Sequence, residues 1–243
     1  MSKQLIDLSH TISNGLITYN GLPAPIICDF LSREQSRQHY APGTEFQIGK
    51  IEMVANTGTY LDSPFHRYED GKDLSEMELS SLANLDGVVV NAKGWELSAK
   101  GEEQRAIDAN SFRRFDVKDK AVLIHTGWDA HWRTEQYFEG HPFLTKNAAQ
   151  FLTDEGATLV GIDSYNIDDT ADLSRPAHSI LLGAGISIIE HMCNLGSLVD
   201  ALALSPLAAP MSRDSVSDFK FFAVPVKVKG MGTFPVRAFA IVD

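Results

Sequence analysis

A chain of 243 residues that is 44% hydrophobic and 22% charged can bury a full core without disulfide or metal staples. Its formal charge of −11 disfavours sequence-independent binding to nucleic acid or to an anionic membrane, and no apolar run approaches the ~18 residues of a membrane span. The only cysteines, Cys28 and Cys193, form no CxxC pair, and the first residues carry no apolar signal core, so a reducing cytoplasm is the expected setting.

In chain order, "QLIDLSHTI" opens with the partial alternation of a strand. "FQIGKIEMVAN" (Phe46–Asn56) alternates with a phase slip at Gly49, as a bulge would produce. "SPFHRYEDGKDLSEMELSSL" breaks at Gly71 and then allows a short helix. "GVVVNAKG", "AVLIHTG" and "ATLVGID" are short β-branched runs of the kind buried in an α/β core. Between the last two, "TKNAAQFLTDEG" starts on a capping Thr145 and stops at Gly156, a helix with both ends marked. "RPAHSILL" places Pro176 in a plausible first turn, "GISIIE" reads as a short buried strand and "SLVDAL" as one further turn of helix. Near the C-terminus "FKFFAVPVKVKG" and "FPVRAFAIVD" alternate and are joined by "GMGT", which predicts a hairpin. No repeat or long linker divides the chain, so one domain over 1–243 is expected: α/β, with a mixed β-sheet core and flanking helices.

Three constellations could carry chemistry. In "ANTGTYLDSPFHRY", Gly58 permits a tight turn and Pro64 stiffens its far side. Asp62 and His66 between and beyond them could bind a metal, act as ligand plus general base, or simply close a turn. Glu190 follows a buried apolar run, so it is paired, protonated or metal-bound unless its strand end is exposed, and His178 precedes it on a helical turn. In "VGIDSYNIDD", Asp163, Asp168 and Asp169 could line a cleft at a strand end or cap a helix. His125, at the end of "AVLIH", could point into the same cleft. Phe65, Trp128 and Trp132 could wall a small substrate pocket or pack in the core.

These residues resemble the metal-dependent cyclase superfamily, best known for bacterial kynurenine formamidase. Its pattern H-x-G-T-H-x-D-x-P-x-H meets Asn56-Thr57-Gly58-Thr59-Tyr60-Leu61-Asp62-Ser63-Pro64-Phe65-His66 in register, with both leading histidines replaced. "IDLSHTI", "AVLIHTGWDAHW", "HPFLTKNAAQFLTDEGATLVGIDSYNID", "HSILLGAGISIIEHMCNL" and "FPVRAFAI" are similar to further family segments in order along the chain. The resemblance implies a swivelling β/β/α domain, a homodimer or homotetramer, and a small-molecule substrate. It also implies metal ligation by Asp62, His178 and Glu190, with His66 as general acid/base. Asn56 and Tyr60 then stand where two ligand imidazoles would be. Asn offers only a neutral carbonyl oxygen, and Tyr must lose a proton with a pKa near ~10 to ligate strongly, so one divalent ion (Zn or Mn) is expected rather than two, or none. The implied activity is hydrolysis of a small amide, formamide or lactone, with Tyr60 as a possible donor to the developing oxyanion and His125 as a replacement imidazole. The alternatives are altered or metal-free chemistry using Tyr60 and His66, or a binding protein that has lost hydrolysis.

Overall fold

The β-branched runs become the parallel centre of a nine-stranded sheet in the computed structural model, which describes residues 3–93, 105–203 and 215–242. The strands are β1 Gln4–Asp7, β2 Ile26–Leu31, β3 Ile48–Glu52, β4 Tyr60–Asp62, β5 Ala83–Asn91, β6 Ala106–Ile107, β7 Ala121–His125, β8 Phe143–Leu144, β9 Leu159–Ile162, β10 Ser187–Glu190, β11 Ser215–Phe222, β12 Thr233–Pro235 and β13 Phe239–Val242. The helices are α1 Arg33–Ser36, α2 Lys146–Asp154, α3 Pro176–Gly183 and α4 Leu195–Ala203. The sheet runs β1-β13-β11-β5-β7-β9-β10-β4-β12. β5, β7, β9 and β10 are mutually parallel, and the outer strands add antiparallel. Parallel strands need covering on both faces, and here both faces are covered. Leu195, Leu198 and Leu202 of α4 pack on one face with Leu61, Val89, Leu123 and Ile189. Ala148, Ala149 and Leu152 of α2 and Leu181 and Leu182 of α3 pack on the other with Val90, Ile124, Ile162 and Ile188.

The sheet is strongly curled. β12 forms one edge and β13 lies next to the opposite edge, yet only Val236–Ala238 separate them in sequence. Those three residues bridge the two ends: Val236 N donates to Thr59 O at 3.0 Å, and Leu8 N donates to Ala238 O at 2.9 Å. Residues from both ends, Ile6 and Val242 on one side and Leu61 on the other, accordingly share one apolar cluster with α4. We call the face toward that cluster the inner face.

Helix α2 has the predicted start, with the Thr145 side chain accepting from Ala148 N at 3.2 Å. Three expectations change. The expected hairpin is seen only in part: Phe219–Phe222 pairs antiparallel with Phe239–Val242, but "GMGT" is not its turn, because "FPVRAFAIVD" is divided and β12 crosses to β4. The strand expected over Phe46–Asn56 covers only Ile48–Glu52, and the register slip falls in its partner, between Asp29 and Leu31. The helix expected after Gly71 is a single 3₁₀ turn, Leu79–Ser81. Gly94 of "GVVVNAKG" lies outside the described residues. Among the described residues no helix is long and apolar enough to cross a membrane.

Candidate active site and metal centre

Side-chain alternation decides which end-of-strand residues meet. Ile189 faces inward, so Glu190, like Ile188, faces outward. On the neighbouring β4, Leu61 faces inward, and Tyr60 and Asp62 therefore share the outer face with Glu190, across the Glu190–Tyr60 pair. Helix α3 covers this face and lowers His178 between the two carboxylates, its Nε2 3.7 Å from Asp62 Oδ2 and 3.7 Å from Glu190 Oε1. Asp168 fixes that imidazole. One carboxylate oxygen accepts from His178 Nδ1 at 2.7 Å and from His178 N at 3.1 Å, and the other accepts from Ala177 N at 2.6 Å. Asp168 thus caps α3 and orients the ring at once, in place of Arg175, which sits at the cap position with φ 47° and makes no capping bond.

His66 closes the site from the turn Pro64–His66. Gly58, at φ 68°, supplies the backbone bend upstream that the sequence required. Thr233 of β12 links the pair: its hydroxyl donates to Asp62 Oδ1 and accepts from His66 Nδ1 at 2.8 Å. That order leaves His66 Nε2 with a free lone pair. Tyr60 is buried and donates to Glu190 Oε2 at 2.7 Å, and Ile167 N donates to Glu190 Oε1 at 2.7 Å.

These environments set the charges. Burial, reinforced by Glu190 and Asp62, pushes the Tyr60 phenol well above its ordinary value, in keeping with its role as hydrogen-bond donor to Glu190. Burial raises Glu190 to about 7. Burial also works to raise Asp62, but His66, His178 and Thr233 outweigh it and hold the carboxyl below its usual range. Burial would lower His178, yet Glu190, Asp168 and Asp62 push it up to about 10. The pocket is therefore built to hold positive charge between two carboxylates.

A divalent ion fits that design. Asp62 Oδ2 is buried without a hydrogen-bond partner, an orphan acceptor aimed at the His178 imidazole. One ligand atom each from Asp62, His66 and His178 lies within 4.8 Å of the others. Asp62 and His178 thus belong to the compact donor group, with His66 rather than Glu190 as its third member. The open side is a cleft of about 500 Å³ whose walls include Asn56, Tyr60, His66, His178 and Glu190. Tyr19, Asn166, Arg67 and Arg175 also line it; the last three fall within segments quoted above, but nothing in their spacing marked them as cleft residues.

Other expected residues lie elsewhere. His125 follows Ile124 and so faces inward with Leu123, toward α4, where Gly196 abuts its ring. Its Nδ1 bonds Asp163 Oδ2 at 2.7 Å on that face, and it does not line the cleft. Phe65 and Trp128 do not line the cleft either, and Trp128 instead donates through Nε1 to Tyr137 O at 3.1 Å.

Burial lowers three further imidazoles, those of the partly buried His10 and the buried His141 and His191. Burial, chiefly, lowers His10 to about 4 and His191 to about 3. His10 stacks on Trp132 at 4.0 Å with its Nε2 buried and unpartnered. A depressed imidazole adds stability above its unfolded pKa of ~6.5 that is lost as pH falls toward the folded value. For His10 the loss by pH 5 is about 2 kcal/mol. Thermal melts of a His10→Gln variant are expected to fall less steeply between pH 7 and 5 than those of the parent. Parallel curves would show that His10 does not carry this dependence.

Comparison with known proteins identifies the family. The Cyclase family model matches residues 6–169. A kynurenine formamidase from Bacillus cereus is 26% identical over 237 residues, covering 98% of this chain and 97% of its own. The solved isatin hydrolase A from Ralstonia solanacearum superposes with a TM-score of 0.75 at 18% identity, covering 99% of this chain and 92% of that one. A structure described as a potential metal-dependent hydrolase with cyclase activity gives a TM-score of 0.71 at 20% identity, over 100% and 99% of the two chains. With the family model spanning well over half of the sequence and the curled mixed sheet shared along the whole length, the chain belongs to the Cyclase family.

Proposed function

We propose that the protein is a hydrolase of a small amide, formamide or lactone, working with one divalent ion, Zn or Mn. The observation that carries this reading is the orphaned, buried Asp62 Oδ2 facing His178, whose side chain lines an open cleft. The similar kynurenine formamidase and isatin hydrolase support the reaction class. Asp62 and His178 would hold the ion, with Glu190 or His66 as the further donor. Such an ion supplies Lewis acidity toward a substrate carbonyl. His66, with Nδ1–H committed to Thr233, takes a proton from the attacking water at Nε2 and returns it to the departing nitrogen or oxygen. Tyr60 keeps Glu190 hydrogen-bonded from within the cleft wall, and Asn56 offers a neutral amide to the substrate.

The test is a panel of aryl formamides, isatin and simple lactones, assayed with the protein as purified, after chelation, and after return of Zn²⁺ or Mn²⁺. Turnover lost on chelation and restored by metal is expected. A protein that binds a full equivalent of metal yet turns over nothing in the panel would sink the reading. Turnover indifferent to chelation would favour the metal-free alternative, in which Tyr60 and His66 act as the acid/base pair, a reading prompted by the absence of imidazole at positions 56 and 60.

The proposed setting is the cytoplasm, consistent with free thiols at Cys28 and Cys193. We further propose a homodimer or homotetramer, without nucleic-acid or membrane partners. The β2–β3 ribbon has no buried residue and exposes Ile26, Phe30 and Ile51 by 54%, 74% and 56%. A two-stranded ribbon with an uncovered apolar face is marginal alone, and a second copy of the chain is the occupant we propose. Light scattering is expected to give two or four times the chain mass, and a monomer at micromolar concentration would contradict it.

A further inference from the structure

The site is joined to the core by a line of buried side chains, of which the hydrolytic reading uses only the Tyr60–Glu190 end. Tyr137 OH lies 2.9 Å from His191 Nδ1, His191 Nε2 lies 3.2 Å from Tyr60 OH, and Tyr60 OH lies 2.7 Å from Glu190 Oε2. All four residues are at most 1% exposed. We propose that His191 is a positioning residue: held in a single tautomer by Tyr137, it fixes the phenol oxygen of Tyr60 so that the Tyr60 proton points at Glu190.

The direction of the line follows from its acceptor end. Both Glu190 oxygens already act as acceptors, Oε1 from Ile167 N–H at 2.7 Å and Oε2 from Asn166 Nδ2 at 3.4 Å. Tyr60 therefore donates to Glu190, and its oxygen is left to accept from His191 Nε2–H. A neutral imidazole with its proton on Nε2 has a lone pair on Nδ1, so Tyr137 must be the donor there. The opposite order would place the proton on Nδ1, point the Tyr60 hydroxyl at His191 and leave Glu190 Oε2 with only the long Asn166 contact.

The backbone shows that the placement is built. His191 has φ 53°, a region uncommon for residues other than Gly but one in which Asn, Asp and His are enriched. Its carbonyl is held by Thr59 Oγ1 at 2.5 Å, from the residue next to Tyr60. The turn after β10 thus aims the imidazole back across the sheet at the phenol. At position 60, where the resemblance implies an imidazole ligand, this chain carries a phenol, and His191 supplies the imidazole one layer behind it. Glu190 is held by a proton donor at this point, and the donor is held in turn.

The inference rests on the proposed hydrolytic site for its kinetic consequence, but its structural content is read without turnover. In ¹⁵N-histidine NMR of the intact protein, the resonance lost in His191→Gln identifies His191. That resonance is expected to report the Nε2–H tautomer in the parent and a mixture of tautomers in Tyr137→Phe. An Nδ1–H tautomer or an imidazolium in the parent, or an unchanged tautomer in Tyr137→Phe, would overturn the proposal even if hydrolysis is confirmed. On the best substrate of the panel, Tyr137→Phe is expected to lower kcat about 10-fold with KM nearly unchanged, the usual scale for a partner one layer behind a ligand. His191→Asn, which tolerates the backbone but is too short to span both hydroxyls, should lose roughly 10- to 100-fold. His191→Gln, which can both donate and accept, should recover to within about 3-fold of the parent. If Gln is as impaired as Asn in folded protein, the role is packing alone and the proposal fails.

Discussion

An Asp62→Asn variant is expected to lose its bound metal and about 10³-fold in hydrolytic rate, several kcal/mol of transition-state stabilisation. The reason lies in how Asp62 is partnered. One oxygen accepts the Thr233 hydroxyl, and an amide carbonyl can still do that, so the fold around β4 and β12 is preserved. The other oxygen is the buried orphan facing His178, and an amide there presents no charge to a cation. The same change removes one of the carboxylates that push His178 up to about 10. Elemental analysis and rates on the same preparation check both parts. A variant that keeps a stoichiometric ion and a rate within about 10-fold would show that Asp62 is not a ligand. Glu190→Gln resolves the remaining donor. Metal lost in that variant assigns Glu190, whereas metal retained assigns His66, the third member of the compact group.

The second large effect is steric. Gly232→Ala would place a methyl 2.3 Å from His66 N and 2.5 Å from His66 Cα, and the backbone beneath must shift. The turn that carries His66 is pressed from two sides, because a methyl at Gly71 would meet Pro64 C at 2.6 Å and Phe65 N at 2.8 Å. Gly232 O also accepts from Ser63 N at 2.7 Å, which ties β12 to that turn. Overpacking of this kind costs about 3 kcal/mol, or roughly 6–12 °C in Tm for a chain of this size. Activity is expected to fall further than stability does, since the displaced atoms carry His66. Equal Tm and rate for Gly232→Ala and the parent would mean that this contact is not tight in solution.

Much of this site could be read from the sequence because its residues stand in order on short elements. Tyr60, Asp62 and His66 stand within seven consecutive residues, on β4 and the turn after it, and the helix bearing His178 and the strand ending in Glu190 each announce themselves by pattern. Two things were not legible. The first is the face on which a strand-end residue falls. His125 after "AVLI" and Glu190 after "GISII" look alike as polar residues closing apolar runs. Side-chain alternation sends His125 inward and Glu190 outward, and nothing local fixes that phase relative to the site. The second is partnership over long separations. Thr233 is 171 residues from Asp62, and His191 meets Tyr60 across 131. Neither has a motif around it, since a hydroxyl or an imidazole becomes a partner only when the curled sheet places it. The division of "FPVRAFAIVD" belongs to the same class: an alternating run looks like one strand until three of its residues are needed to cross between sheet ends.

That crossing has a bearing on the order in which the molecule becomes competent. β4 can pair with β10 once residue 190 has been made, but Thr233, which joins Asp62 to His66, and Gly232, which seats the His66 turn, arrive with the segment that also supplies β13. The contacts that close the sheet and those that finish the site are therefore one late event with large sequence separation, the slow kind in folding. During synthesis the carboxylates and His178 could assemble into a cation-binding pocket before His66 is in register. Catalytic competence would then be withheld until the two ends of the sheet have met, making activity a report on complete folding.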